Sequence, residues 1–241
     1  MCIVQKGSDT VRQSFNPLRR CHTFLAKRGF YPVLLASVFS CAITVGRVRM
    51  TGSFEYVFLI RNLFLAWIPF GFSLIAAALY MRYPRQWWLV LPPGVLWLLF
   101  FPNAPYILTD MMHLWRIPPS VWWYDLGMVA SFALSGYFLA VLSLRVMQHL
   151  VGAYLGRGAS WLFVFGAIGL SGLGVYLGRF VRMNSWDLLF SPRAGLRLAA
   201  SSIFDRENQV RAFGVSGMFA ALLLFCYLTF VTFHQPDPVD A

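Results

Sequence analysis

The sequence predicts an all-α fold, a polytopic transmembrane helical bundle of about six spans whose third helix is broken at a Pro102/Pro105 motif. Three observations lead there. The 241 residues are 59% hydrophobic and only 12% charged, with a mean hydropathy of +0.63, whereas soluble domains run about half apolar and a quarter charged. The apolar residues fall in long blocks, and about 20 such residues are what a helix needs to cross a bilayer core. Trp87, Trp88, Trp122, Trp123 and Trp161 stand at the ends of these blocks, where amphipathic rings prefer the headgroup layer.

Taken in order, residues 1–29 form a basic tail carrying Lys6, Arg12, Arg19, Arg20, Lys27 and Arg28. That leader is too long for an ordinary cleaved signal peptide, so the first apolar block is expected to stay as a helix. The transmembrane domain covers 30–234, and 235–241 form a C-terminal tail. The expected spans are Phe30–Gly46, Tyr56–Tyr80, Trp87–Phe101, Trp123–Val146, Trp161–Phe180 and Ala212–Phe233. Pro69 is expected to kink the second. Gly174 and Gly178 make a GxxxG at the end of the fifth, a small-residue face that lets another segment approach closely.

The third block is too short. Its 15 residues rise about 22 Å against a core of about 30 Å. Directly after it comes Phe101-Pro102-Asn103-Ala104-Pro105-Tyr106. Two prolines remove backbone donors there, and Asn103 is placed to cap a new helix running from Pro105 towards Trp115. Irregular backbone at membrane depth is tolerated only where protein or a wet cavity satisfies it, so the break points to a pocket. The plainer alternative is a helix that ends at a proline and continues along the interface.

Several classes are excluded or disfavoured. The cysteines Cys2, Cys21, Cys41 and Cys226 are widely spaced, which indicates neither a disulfide framework nor a zinc motif. The net charge of +11 lies in residues flanking apolar blocks with no nucleic-acid motif, so the expected partner is the lipid bilayer and not nucleic acid. Lys and Arg divide ten against nine between the two sides of a six-span chain, with Arg61 inside a span. The strongly basic first flank then puts both termini in the cytoplasm and the chain in the inner membrane as a multi-pass protein.

With six spans, the segments after the first, third and fifth share one side, and they hold most of the unusual polar residues. These are Arg47 and Arg49; Asn103, Tyr106, Asp110 and His113; and Arg179, Arg182, Asn184 and Asp187. Asp125 adjoins them at the start of the fourth span, and Arg61-Asn62 lie early in the second.

Four runs, Arg61-Asn62-Leu63, FPNAPYILTDMMHL from Phe101, Trp123-Tyr124-Asp125 and YLGRFVRMNSWD from Tyr176, resemble an uncharacterised family of bacterial integral membrane proteins, a domain of unknown function. The likeness covers roughly Arg61 to Pro192. It implies a multi-spanning bacterial membrane protein and supplies no activity, ligand or catalytic residue.

Three functions stay open. A non-catalytic assembly or partner-binding protein would use the charged motifs for helix packing. A membrane-interface enzyme for a lipid-linked or phosphorylated substrate would use Asp110, His113 or Asp187 as acid and base. Arg179 and Arg182, spaced i and i+3, would hold its anion. A transporter or channel would line its route with Arg61 and the broken helix, although no inverted repeat is visible. Arg61, Asn103, Tyr106, Asp125, Arg179, Arg182 and Asn184 are the candidate binding residues, and the expected ligand is anionic or lipid-linked. Asp110 and His113 share a helix face, but a metal on them would need a third or fourth ligand, for which Asp125 and Asp187 are the only nearby acids, so no metal site is assigned and no cofactor is identified. An inward Arg61 is expected to pair with Asp110, Asp125 or Asp187, because an unpaired guanidinium facing the bundle keeps its desolvation cost.

Overall fold

The computed structural model describes residues 17–116, 122–183, 185–204 and 209–233. Among them the chain forms α1 (Pro17–Ala26), α2 (Phe30–Thr51), α3 (Phe58–Arg82), α4 (Leu91–Phe100), α5 (Asn103–Tyr106), α6 (Trp122–Leu155), α7 (Arg157–Tyr176), α8 (Ser185–Phe190), α9 (Pro192–Phe204) and α10 (Gln209–Phe233). Six stretches are long and apolar enough to cross a membrane: α2, α3, Trp87–Leu114, α6, Arg157–Val181 and α10. The chain is an all-α, multi-spanning membrane protein.

The fourth span, α6, is the hub. Its faces pack on α2, α3, α7, α10 and the turn after the break, and 61% of its most apolar window is buried, more than in any other span. A helix apolar all round is what a central position demands. The packing around α2 is small and polar: Ser40 Oγ lies 3.4 Å from Ser135 Oγ of α6, and Ser37 accepts from Trp67 Nε1 of α3 at 3.0 Å. Short hydroxyl side chains suit such contacts because they let backbones close together and bond across them. Trp87, Trp88 and Trp123 are exposed, as rings at an interface would be.

Two helices overrun their expected ends. α2 continues past Gly46 to Thr51, so Arg47 and Arg49 are helical rather than in a loop. Arg47 is taken up by a carboxylate of α6, which removes the reason to leave the helix, and Gly52 ends it in the left-handed region at φ 69°, its N–H bonded to Val48 O. α6 continues past Val146 to Leu155. The polar residues there are used in packing: the Arg145 guanidinium lies over the Phe230 ring at 5.3 Å, and Gln148 Oε1 accepts from Tyr227 Oη. Gly156, at φ 87° and ψ 170°, then turns the chain into α7 in a conformation open almost solely to glycine.

The third span is broken where the two prolines predict. α4 stops at Phe100, α5 is a single turn, and Ile107–Arg116 is a tighter 3₁₀ segment. With these pieces the span reaches Leu114, which supplies the length that Trp87–Phe101 lacks. Asn103 does not cap the new helix from outside. It is the first residue of α5, no side chain caps that helix, and Asn103 Nδ2 points back to donate to Phe100 O at 3.0 Å. Pro102 has no N–H to give to α4, and the freed carbonyls at the helix end need donors more than α5 does.

Candidate functional site

The break is built by interlocking. A Cβ on Gly136 of α6 would stand 2.5 Å from Ala104 O, one on Gly174 2.5 Å from Pro102, and one on Gly178 3.1 Å from a Tyr106 ring carbon. The GxxxG at the end of the fifth span thus receives the Pro102–Tyr106 segment, a kinked piece of chain and not a second straight helix. The loose polar atoms of the break are met from α8. Ser185 Oγ donates to Leu99 O at 2.9 Å and accepts from Asn103 Nδ2 at 3.1 Å. Trp186 meets Phe100 edge to face at 4.8 Å between centroids.

Between these elements lies a cavity of about 470 Å³, within the range of about 300–1,000 Å³ typical of small-molecule sites. One part of its wall is polar, with Arg61, Asn62, Asn103, Tyr106 and Ser185; the rest is apolar, with Leu98, Leu170 and Leu196 among its residues. Those three leucines are also exposed, so the apolar part of the cavity is open.

Behind Asn62 sits a buried carboxylate. Asp110 is 1% exposed; its Oδ2 accepts from Asn62 Nδ2 at 2.7 Å, and its Oδ1 is 3.6 Å from Arg179 Nη1. His113 does not bond that carboxylate. Its Nδ1 is 3.1 Å from Asp110 O, and since a carbonyl only accepts, Nδ1 carries the proton. Its ring lies 5.0 Å from that of Phe58. Arg179 belongs to a π-helical turn, Leu177–Val181, closed by Arg182 at φ 58°. Single π turns and left-handed non-glycine residues gather at functional sites.

A second charged pair is separate. Asp125, fully buried, accepts from Arg47 Nε at 2.7 Å and Nη2 at 3.0 Å. Thr51 accepts from Arg47 Nη1 at 3.3 Å, and the guanidinium stands 4.6 Å from the Tyr56 ring centroid. Arg61, expected to hold a carboxylate, is exposed and lines the cavity. Asp125 contacts Arg47, and Asp110 contacts Arg179. Asp110, Asn103, Tyr106, Arg179 and Arg61 are therefore neighbours at or beside the cavity, whereas Asp125 belongs to the α2–α6 contact. Asp187 lies exposed on α8, and Arg182, the residue that closes the π turn, is exposed. Asn184 lies outside the described residues. Asp125 is held by Arg47, and among the described residues no three His, Cys, Asp or Glu side chains are grouped to hold a metal ion.

Sequence reasoning missed Ser185 and the role of Asn62. An amide next to Arg61 inside an apolar block was the available signal for Asn62; nothing in the sequence marks Ser185 apart from other serines.

The profile of a family described as "Protein of unknown function (DUF1361)" matches residues 61–227. The chain belongs to the DUF1361 family. No curated protein and no solved structure matches it. Every residue lining the cavity falls inside the DUF1361 match, while Arg47 and the rest of α2 precede it. The family description assigns no activity.

Proposed function

We propose that this DUF1361 protein is a non-catalytic membrane protein that holds an anionic lipid, with the headgroup beside Arg61 and the chain along the leucine wall. One observation carries this: a single cavity joins an exposed guanidinium, amides and a phenol to an apolar wall with exposed leucines, and in a bundle of apolar spans such a wall suits a lipid chain. Arg is the cation suited to phosphate and carboxylate, since its planar fork donates in pairs. The enzyme alternative has less behind it, because Asp110, His113 and Asp187 are not among the residues lining the cavity. The bacterial origin and inner-membrane setting implied by the motifs belong to the same proposal. With both termini cytoplasmic, the cavity serves the outer leaflet.

The test is lipid retention. Native mass spectrometry of the detergent-purified chain should show an anionic phospholipid kept in preference to phosphatidylcholine, and Arg61→Gln should lose that preference without changing the unfolding temperature. Arg182→Gln, which alters a charge outside the cavity, should keep it. Glycerophosphoglycerol, a headgroup without chains, should not compete. Equal retention of neutral and anionic lipids by the wild type would defeat the proposal, and competition by the free headgroup would move the ligand from the bilayer to water.

A further inference from the structure

Resting on that lipid-binding reading, we infer that the cavity selects singly charged phosphodiester headgroups over doubly charged phosphomonoesters, and that the Asp110–Arg179 contact sets this selectivity by withholding the second cation.

Among the described residues, one charged side chain lines the cavity, that of Arg61. Arg179 directly follows Gly178, which also lines it, and is partly exposed, with 20% of its side chain accessible. Asp110 is spanned by Asn62 on the cavity wall and Arg179 behind it. Arg179 is balanced by Asp110, so the positive charge that the lining offers a ligand is that of Arg61.

The cost of taking an anion from water rises with the square of its charge, while its attraction to a fixed cation rises only linearly. A net charge of one therefore compensates a monoanion and leaves the second charge of a dianion desolvated without a partner. Two features give Asp110 hold over Arg179. The carboxylate is buried, so it cannot be satisfied by water, and Asn62 fixes one oxygen while the other faces the guanidinium. The pair is also looser than Arg47–Asp125, at 3.6 Å against 2.7 Å. Arg179 is thus tethered by charge and not by a bidentate lock. Removing the Asp110 charge leaves a free cation one residue from the cavity wall.

The experiment compares phosphatidylglycerol with phosphatidic acid, in equimolar mixture, by native mass spectrometry of the full chain. It is run at about pH 8, where a phosphomonoester, with a second pKa of about 6, carries two charges. The wild type should favour phosphatidylglycerol by at least about tenfold, since a charge left without a partner at an effective dielectric of about 20 costs more than the roughly 1.4 kcal/mol that tenfold represents. Asp110→Asn keeps the shape of the side chain and should turn the preference towards phosphatidic acid. The double variant Asp110→Asn with Arg179→Gln again has a net single positive charge and should return to phosphatidylglycerol. Wild-type protein that binds phosphatidic acid as well as or better than phosphatidylglycerol overturns the inference while leaving anionic-lipid binding intact. So does a folded Asp110→Asn variant with an unchanged ratio. Should that variant not fold, the wild-type ratio and the double variant decide. Retention of phosphatidylcholine equal to both anionic lipids overturns this inference together with the lipid-binding proposal.

Discussion

Replacing Asp125 by alanine takes the carboxylate from a guanidinium that is 5% exposed. Two charge-assisted bonds disappear, Nε to Oδ1 at 2.7 Å and Nη2 to Oδ2 at 3.0 Å. What remains to Arg47 is Thr51 Oγ1 at 3.3 Å and the face of Tyr56. Opposite charges about 4 Å apart at an effective dielectric of about 20 attract by about 4 kcal/mol. Removing one member of a buried pair generally costs about 3–5 kcal/mol, because the surviving charge keeps its desolvation penalty. At about 2–4 °C per kcal/mol for a chain of this size, Asp125→Ala should unfold roughly 6–20 °C below the wild type. The nine tryptophans make intrinsic fluorescence in detergent a convenient readout. Arg47→Met combined with Asp125→Leu leaves no stranded charge and should recover most of the loss, a coupling that the two single variants and the double variant measure directly. A shift below about 2 °C for Asp125→Ala, the mark of less than 1 kcal/mol, would refute the reasoning. It would mean that Arg47 swings out to the headgroups when its partner is gone.

Gly136→Ala puts a methyl group 2.5 Å from a backbone oxygen of the break and should cost about 1–3 kcal/mol by overpacking. Gly217→Ala, with nothing within 4 Å, should leave the unfolding temperature unchanged; equal effects would contradict the packing of the break against α6. Cysteines at positions 103 and 185, whose native side chains are bonded at 3.1 Å, should join through a short bifunctional thiol reagent in a background lacking the native cysteines. Failure to do so in folded, labelled protein would separate α8 from the break. Membrane-impermeant labelling of cysteines at Gly52 and Gly195 should give one result and at Pro84 and Gly156 the opposite one. A split within either pair would end the six-span topology.

Much of the fold was legible because the cost of placing apolar residues in water accumulates locally along the chain. The blocks, their tryptophan ends and the short third span all follow from counting residues against bilayer thickness. The helix ends were less legible. Arg47 and Arg145 read as the close of an apolar run, yet both lie inside longer helices, since a charge met by Asp125 or an aromatic ring no longer has to leave the bundle. The GxxxG was recognised as a packing face, but its occupant, the Pro102–Tyr106 segment, was not.

For the site, the sequence by itself grouped the unusual polar residues on one expected membrane face, because the parity of six spans puts the segments after the first, third and fifth together. It also located the break, because two prolines so close together cannot continue a helix. Only the tertiary structure decided which charges meet. Asp125 faces Arg47 across α2 and α6, Asp110 faces Asn62 and Arg179, and Arg61 is left on the cavity wall. Periodicity says which residues of one helix share a face, but the rotation of each helix about its axis is fixed by its neighbours. Here those neighbours include Gly136, Gly174 and Gly178, whose missing side chains let the broken span sit deep enough to bring Asp110 beside Arg179.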